Sequence, residues 1–196
     1  MVEVVAETGR IRLRTWDDAD EARFYDIMNT PAVMRWLGGL QTRGEWNAGY
    51  LRLRAYERDY GFTFWLVERQ SDDVVLGFCG LKRANAPGAD AIAGEIEIGW
   101  RQREDAWGQG YAKEAAAASL DLAFGRFEAP QVVAVTALGN VPSQGLMKRL
   151  GMVRREELDF VDQRFPADSE VNPQVVFTID AAAWRSARQA TLTTSR

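Results

Sequence analysis

Two glycines, Gly108 and Gly110, stand directly before an alanine-rich run in the segment DAWGQGYAKEAAAAS, residues 105–119. The alanines favour a helix, whereas a glycine inside a helix costs about 1 kcal/mol relative to alanine. The first N–H groups of a helix lack intrahelical partners and lie at the positive end of its dipole. Glycines at that point would let a pyrophosphate approach those groups closely. The segment therefore predicts either an anion-binding helix N-terminus or a plain turn into a helix.

This glycine segment matches neither of the common nucleotide-binding motifs. A P-loop requires G-x-x-x-x-G-K-[ST], which is absent from the sequence. A dinucleotide fingerprint requires a third glycine where this chain has Lys113. Phosphate binding here would have to rest on the helix N-terminus alone.

The chain contains no histidine and a single cysteine, Cys79. Catalysis by Ser-His-Asp or Cys-His groups is therefore excluded, as are zinc sites that need imidazole and clusters that need several thiolates. We expect no metal site. Any enzyme chemistry must use carboxylates, hydroxyls, backbone amides and water. A lone cysteine also fits a protein of the reducing cytoplasm.

The composition is that of an ordinary globular protein, with 46% hydrophobic and 27% charged residues among 196. This length predicts one domain spanning residues 1–196. The net charge of -4 argues against general nucleic-acid binding. The chain has no signal-peptide pattern and no apolar run near the roughly 20 residues that span a bilayer. We therefore expect neither a nucleic-acid nor a membrane partner.

Hydrophobic periodicity predicts a mixed α+β fold, because strands and helices do not alternate strictly. The predicted strands are 9–16, 62–68, 74–82, 95–100, 131–137, 152–160 and 173–180. The predicted helices are 17–29, 31–37, 42–58, 111–127, 141–151 and one from about 181. We expect the core to lie within about residues 9–180 and the tail, 191–196, to be frayed.

Two longer segments carry a family resemblance. The run EIEIGWRQREDAWGQGYAKEA, followed by VTALGNVPSQGLMKRLGM, resembles the GNAT superfamily of acetyl-CoA-dependent N-acetyltransferases. The opening RIRLRTWDDADEARFYDIMNTPAVMRWLG is similar to the branch of ribosomal-protein N-terminal acetyltransferases (RimJ/RimL-like). The resemblance covers most of residues 9–180. It implies a mostly antiparallel sheet of about seven strands, with helices on both faces and a splay between strands 95–100 and 131–137.

The resemblance also implies acetyl-CoA as co-substrate. Its pyrophosphate would be held by backbone amides after the glycines, at Trp107, Gly108, Gln109, Gly110, Tyr111 and Ala112. Its pantetheine arm would lie along Ile98, Gly99 and Trp100, with a hydrogen bond from Asn140. The family motif usually begins with Gln or Arg, whereas this chain has Asp105. We expect Asp105 to point away and cap the helix, and Arg103 either to supply the missing positive charge or to remain solvated.

Acetyl transfer requires a neutral amine and a proton for the departing thiolate. The resemblance places Glu97 beside the splay as the group that accepts the amine proton, directly or through water, with Glu95 as the alternative. Many family members have a tyrosine seven residues after the motif asparagine, where this chain has Met147. The ribosomal branch instead has a serine three residues after it, which implies that Ser143 donates to the leaving sulfur.

The acceptor is the least determined part of the reaction. The resemblance places the helical segment around residues 28–39 and the loop between the last two strands beside the acceptor. It points to Trp36, Phe160 and Arg164, and Glu95 is a further candidate contact. The favoured acceptor is a protein or peptide N-terminal amine. A small amine, such as an amino acid, polyamine or aminoglycoside, is an alternative, and a non-catalytic acyl-CoA sensor is another. Related proteins are often dimers, so a homodimer is a further expectation.

Overall fold

The computed structural model describes residues 2–194, with the backbone alone for residues 191–194. Its eight strands are β1 (Val4–Glu7), β2 (Ile11–Arg14), β3 (Phe64–Arg69), β4 (Val74–Arg83), β5 (Ile96–Gln102), β6 (Gln131–Ala137), β7 (Val153–Arg154) and β8 (Gln174–Asp180). Its six α-helices are α1 (Asp20–Met28), α2 (Pro31–Met34), α3 (Arg43–Tyr60), α4 (Tyr111–Gly125), α5 (Val141–Arg149) and α6 (Ala181–Thr194).

The strands form one sheet in the order β1-β2-β3-β4-β5-β6-β8-β7. Strands β1, β2, β3 and β4 pair as antiparallel neighbours, β5 pairs with β6 in parallel, and β8 pairs antiparallel with both β6 and β7. The predicted mixed, mostly antiparallel α+β fold is confirmed. The sheet has one strand more than expected because β1, VVAE, is short, partly exposed and without clear alternation.

The chain divides into two compact units. The first contains the residues up to Lys82 together with Gly99–Ser119. Its core is rich in aromatic side chains contributed by α1, α3, β4 and the loop between β2 and α1, namely Trp16, Phe24, Trp46 and Phe78, with Phe64 packed against them. Apolar side chains of the segment 28–34 complete this cluster.

Local signals delimit α3 in this first unit. Thr42 accepts a hydrogen bond from the Glu45 backbone N–H, and the Glu45 side chain accepts one from the Thr42 backbone N–H. This reciprocal pair is a capping box, which satisfies two N–H groups that a helix start leaves free. Gly61 ends the helix with a left-handed φ of 72°. The helix predicted over 42–58 agrees with α3 to within two residues at each end.

The second unit contains Arg83–Ile98 and the chain from Leu120 onward. Strand β6 pairs with β8 along its whole length, from Gln131↔Asp180 to Ala137↔Gln174. Buried apolar residues including Ile92, Val133 and Val176 form a core cluster, with Phe160 packed against it.

Two predicted segments of this unit differ from the structure. The strand expected over 152–160 is only β7, followed by a 3-10 turn, Glu156–Leu158, and an isolated bridge between Phe160 and Gln174. Part of the tail expected at 191–196 continues α6 to Thr194, and residues 195–196 lie outside the described residues.

Candidate active site

The N-terminus of α4 follows a turn that requires both glycines. Gly108 has φ 72° and Gly110 has φ 84°, and both are exposed. These left-handed values strain any residue with a Cβ atom. A Cβ atom at Gly108 would meet no heavy atom within 4 Å. The space at Gly108 is therefore open, and only its backbone conformation demands glycine, whereas a Cβ atom at Gly110 would lie 3.3 Å from Nη2 of Arg10.

This turn presents free backbone donors. The first backbone hydrogen bond of α4 runs from Glu114 N to Gly110 O at 3.1 Å. In the described part of the chain, the N–H groups of Gly110, Tyr111 and Ala112 donate to no backbone acceptor. Such groups at a helix N-terminus suit an anion. The geometry of α4 therefore fits a pyrophosphate.

Arg10, which sequence analysis missed, holds this turn in place. Its Nη1 donates to Gln109 O at 3.0 Å, and its Nε donates to Glu114 Oε2 at 2.7 Å. Its guanidinium also lies over the Tyr111 ring, 4.6 Å from the centroid. Arg10 and Gln109 are 99 residues apart in sequence, so no local pattern could reveal the contact.

Asp105 does not cap α4, contrary to expectation. Its carboxylate accepts two hydrogen bonds from Arg103, with Nε to Oδ1 at 2.5 Å and Nη2 to Oδ2 at 2.8 Å. The two side chains are two residues apart and both accessible, whereas α4 begins only at Tyr111. Asp105 therefore pairs with Arg103 more readily than it could cap the helix. The charge of Arg103 is thus balanced by Asp105, and its role at the coenzyme stays a prediction.

The splay between β5 and β6 is visible in their hydrogen bonding. Their parallel ladder consists of Ile96↔Val132 and Glu97↔Val133. Beyond these pairs β5 continues to Gln102 and β6 to Ala137. The backbone from Ile98 to Trp100 therefore carries groups that this ladder does not use.

Gly99 has a packing reason as well as its predicted role. A Cβ atom there would lie 2.9 Å from Cζ of Phe64, closer than real Cβ contacts. An aromatic ring therefore approaches the strand closely at Gly99. Ile98 is buried, and Trp100 is half-buried.

Glu97 lies half-buried on β5 in an environment that includes a guanidinium. Arg164 donates to the buried carboxylate of Asp162, with Nε to Oδ1 at 2.9 Å. These hydrogen bonds raise the pKa of Arg164, and the negative charges of Asp162 and Glu97 raise it further. Glu97 and Arg164 therefore lie close enough for their charges to interact.

Glu95 is not on the strand, contrary to expectation. Strand β5 begins at Ile96, and the Glu95 backbone belongs to the preceding turn, where its N–H donates to Ile92 O at 3.1 Å. The alternation that would place Glu95 on the face of Glu97 therefore does not apply. The half-buried Glu95 side chain is a weaker candidate for the proton acceptor than Glu97.

Asn140 and Ser143 form the start of α5. Asn140 is the N-cap, with Oδ1 accepting from Ser143 N at 3.4 Å and Nδ2 donating to Thr136 Oγ1 at 2.9 Å. Each amide atom keeps further hydrogen-bonding capacity. The half-buried hydroxyl of Ser143 makes no hydrogen bond within residues 2–194, so it is not used for capping.

The predicted acceptor contacts, Trp36 and Phe160, are both half-buried. Trp36 is half-buried in a 3-10 turn after α2, with the Arg35 guanidinium 4.5 Å from its ring centroid. It lies outside the aromatic core cluster of its unit. Phe160 is half-buried against the core of the second unit. Their roles stay predictions.

The described residues contain neither a cluster suited to a metal ion nor a helix suited to a membrane. Within residues 2–194, no three His, Cys, Asp or Glu side chains come together in a way that could hold a metal ion. None of the helices in that range combines the length and apolarity needed to cross a membrane. The expectation that the reaction needs no metal stays a prediction.

Comparison with known proteins identifies the domain. A family model described as an acetyltransferase (GNAT) domain matches residues 10–153. The chain is 32% identical over 146 residues to an uncharacterised Bacillus subtilis protein, YkkB, covering 74% of this chain and 83% of YkkB.

Solved structures share the fold at low identity. An acetyltransferase from Agrobacterium tumefaciens superposes with a TM-score of 0.72 at 23% identity, covering 89% of this chain and 92% of that one. RimL, described as a ribosomal L7/L12 α-N-protein acetyltransferase, gives a TM-score of 0.73 at 13% identity, with coverages of 92% and 95%. At these identities the likeness concerns the fold.

Proposed function

This chain belongs to the GNAT acetyltransferase family, and we propose that it acetylates the N-terminal amine of a protein or peptide. Family membership makes it an acyltransferase that moves an acyl group from acetyl-CoA to an amine. The observation that supports coenzyme binding is the exposed N-terminus of α4, with its unused N–H groups, whereas the choice of acceptor follows from the resemblance. We further propose that it belongs to the RimJ/RimL-like branch, since its sequence resembles that branch and its fold matches RimL.

The coenzyme is proposed to bind along α4 and β5. The N–H groups of Gly110, Tyr111 and Ala112, at the positive end of a 15-residue helix, suit a pyrophosphate. Trp107, Gly108 and Gln109 would form the edge of the same cradle. The β5 backbone from Ile98 to Trp100 would pair with the amides of the pantetheine arm. When bound, acetyl-CoA supplies an acetyl group activated as a thioester.

Glu97 is proposed to accept the proton of the attacking amine. An alkyl amine with a pKa near 10 is mostly protonated at neutral pH, so a proton acceptor is needed. The half-buried position of Glu97 beside the splay supports this role, and the charge of Arg164 lies close enough to interact with it. Transfer through a water molecule is equally compatible with this role.

Ser143 is proposed to donate a proton or hydrogen bond to the departing thiolate sulfur. Its hydroxyl makes no hydrogen bond in the described part of the chain, so it is available to a ligand. Asn140 orients this serine by accepting from its backbone N–H at 3.4 Å, and its remaining amide capacity would bind the pantetheine arm.

The acceptor proposal rests on the RimL-like resemblance, with Trp36 and Phe160 as proposed contacts. A small amine is the alternative acceptor, and a sensor without catalysis is disfavoured because Glu97 and Ser143 are both present. The single free cysteine, Cys79, supports a cytoplasmic location. A homodimer also remains a proposal.

The test measures transfer of the acetyl group from acetyl-CoA to a panel of amines, monitored by the release of free thiol. The panel contains short peptides, amino acids, polyamines and aminoglycosides, with coenzyme binding measured in parallel by calorimetry. Turnover with peptides alone would support the proposal. Turnover with a small amine alone would favour the alternative, and coenzyme binding without turnover on any amine would favour the sensor.

A further inference from the structure

Arg101, on β5, is a half-buried guanidinium without an acidic partner. Its Cζ lies 5.0 Å from the ring centroid of Phe78 and 5.6 Å from that of Trp46. Its Nε is shielded from solvent and has no hydrogen-bond partner. Within residues 2–194, no carboxylate forms an ion pair with it.

A second arginine of the same unit, Arg14, has the acidic partners that a buried guanidinium needs. Arg14 is buried and donates from Nη1 and Nη2 to Asp20, at 2.7 and 3.0 Å, and from Nε to Glu68 at 2.8 Å. Its charge is therefore balanced by two carboxylates. Unpaired buried charge is unfavourable, and the Arg101 guanidinium lies over the ring faces of Phe78 and Trp46.

The charge of Arg101 persists despite this environment. Burial lowers the pKa of its guanidinium to about 10, which still leaves it almost fully protonated at neutral pH. A cation that is partly removed from water and lacks a counter-ion attracts an anion more strongly than a solvated one does. A carboxylate would also supply acceptors for its N–H fork.

The rings that hold Arg101 are themselves fixed. Phe78 is stacked between Phe64, with centroids 5.0 Å apart, and Phe24, with centroids 5.6 Å apart. Trp46 packs against Phe24 at 5.7 Å. The guanidinium therefore rests on a rigid platform, so little further order is needed when an anion binds.

This platform belongs to the part of the first unit expected to meet the acceptor. Its cluster includes Met28, Val33 and Met34, from the segment that the family resemblance places beside the acceptor. Arg101 also directly follows Trp100, whose backbone is proposed to face the pantetheine arm.

We propose that Arg101 binds a carboxylate of the acceptor, so that the preferred acceptor is an amine that also carries an acidic group. The proposal rests on the proposed acetyltransferase function and specifies its substrate. The carboxylate is either an acidic side chain of a peptide or the carboxylate of a small amino acid. Both present the same group to the guanidinium.

The experiment compares matched acceptors with and without the charge. One arm uses C-terminally amidated peptides that differ only by Asp against Asn, or Glu against Gln, in their first three residues. The other arm uses free amino acids against their amides. Each is measured for KM, kcat and direct binding by calorimetry, with the wild type and with Arg101→Met, Arg101→Lys and the control Arg52→Met, which alters an exposed arginine of α3.

In one of the two arms, we expect the wild type and Arg52→Met to bind the acidic acceptor roughly 10- to 100-fold more tightly than the matched neutral acceptor. Arg101→Met should remove that preference through KM, with kcat for neutral acceptors and coenzyme affinity unchanged. Arg101→Lys should retain only part of it, because lysine lacks the bidentate fork. The arm that shows the preference identifies the source of the carboxylate.

Equal binding of acidic and neutral acceptors by the wild type would overturn the proposal, as would a preference that survives Arg101→Met. Direct binding separates this result from failure of the proposed function. Charge-dependent binding that requires Arg101, without any acetylation, would support the carboxylate site and contradict the enzyme assignment. Acetylation without charge preference would support the enzyme assignment and contradict the carboxylate site. Thermal unfolding checks the fold of Arg101→Met, which we expect to be no less stable because it removes an unpaired charge.

Discussion

The pyrophosphate cradle at α4 is tested most directly by Gly108→Trp. A Cβ atom at this position meets no protein atom within 4 Å, so the indole would occupy the open space above the turn. The φ of 72° remains unfavourable for any residue other than glycine, which costs about 1–2 kcal/mol of folding free energy. The variant should therefore fold with a modest loss of stability while obstructing the free N–H groups.

The expected loss of coenzyme binding is much larger than this strain. Hydrogen bonds to a charged group contribute about 1.5–3 kcal/mol each, so losing two weakens binding by roughly 3–6 kcal/mol. That corresponds to an increase in Kd of about 10²- to 10⁴-fold. Calorimetric titration with coenzyme A measures it directly, without any acceptor.

Gly39→Trp is the matched control. Gly39 has φ 91°, and a Cβ atom there would likewise meet no heavy atom within 4 Å, so the same substitution imposes the same strain at a glycine outside α4 and its preceding turn. Both variants should lose similar stability in urea unfolding, but only Gly108→Trp should lose coenzyme affinity. A Kd for Gly108→Trp within about twofold of the control would refute the cradle, since twofold is less than about 0.5 kcal/mol.

Four further outcomes are expected. Ser143→Ala should lower kcat by roughly 10²-fold with little change in coenzyme Kd; an unchanged kcat would remove the serine from the reaction. Arg14→Met should lower the free energy of unfolding by about 3–5 kcal/mol in urea titrations, because it leaves the buried carboxylate of Asp20 without an ion pair and Glu68 with Arg12 alone; a loss below about 1 kcal/mol would contradict this interpretation. Burial raises the pKa of Glu57 above 4.5, so its ionisation destabilises the fold as pH rises through the folded pKa. Glu57→Gln should then raise Tm at pH 7 and lose that advantage below about pH 4.5, and a pH-independent difference would count against it. Burial raises the pKa of the Cys79 thiol to about 12, so thiol reagents should react at pH 8 only on unfolding; rapid labelling of the native protein would disprove that.

Much of the fold follows from local sequence signals. Strand β6 has the bounds that its apolar run predicts, because a short buried strand appears in the sequence as a run of consecutive hydrophobic residues. Helix α5 starts after Asn140 with Pro142 in its first turn, which are the residues that a helix start favours. The missed strand β1 and the shortened β7 are held by pairing with neighbours rather than by their own patterns.

The candidate site was predictable in its types of residue and only partly in its contacts. The two glycines stand out in the sequence itself, whereas Asn140, Ser143 and Glu97 are pointed to by the family resemblance, and their roles stay predictions. The pairing of Arg103 with Asp105 was not anticipated, although the two residues are neighbours, since either side chain had other plausible partners.

What the sequence determined by itself is therefore the class of chemistry and the elements that carry it. The absence of histidine limits the possible catalytic groups, and the glycine-helix segment indicates where an anion would bind. Only the tertiary structure decided which charges are balanced. Arg14 meets two carboxylates and Arg10 meets Glu114, whereas Arg101 meets aromatic rings. In sequence these are three similar arginines, because ion pairing depends on which distant segments the fold brings within a few ångströms.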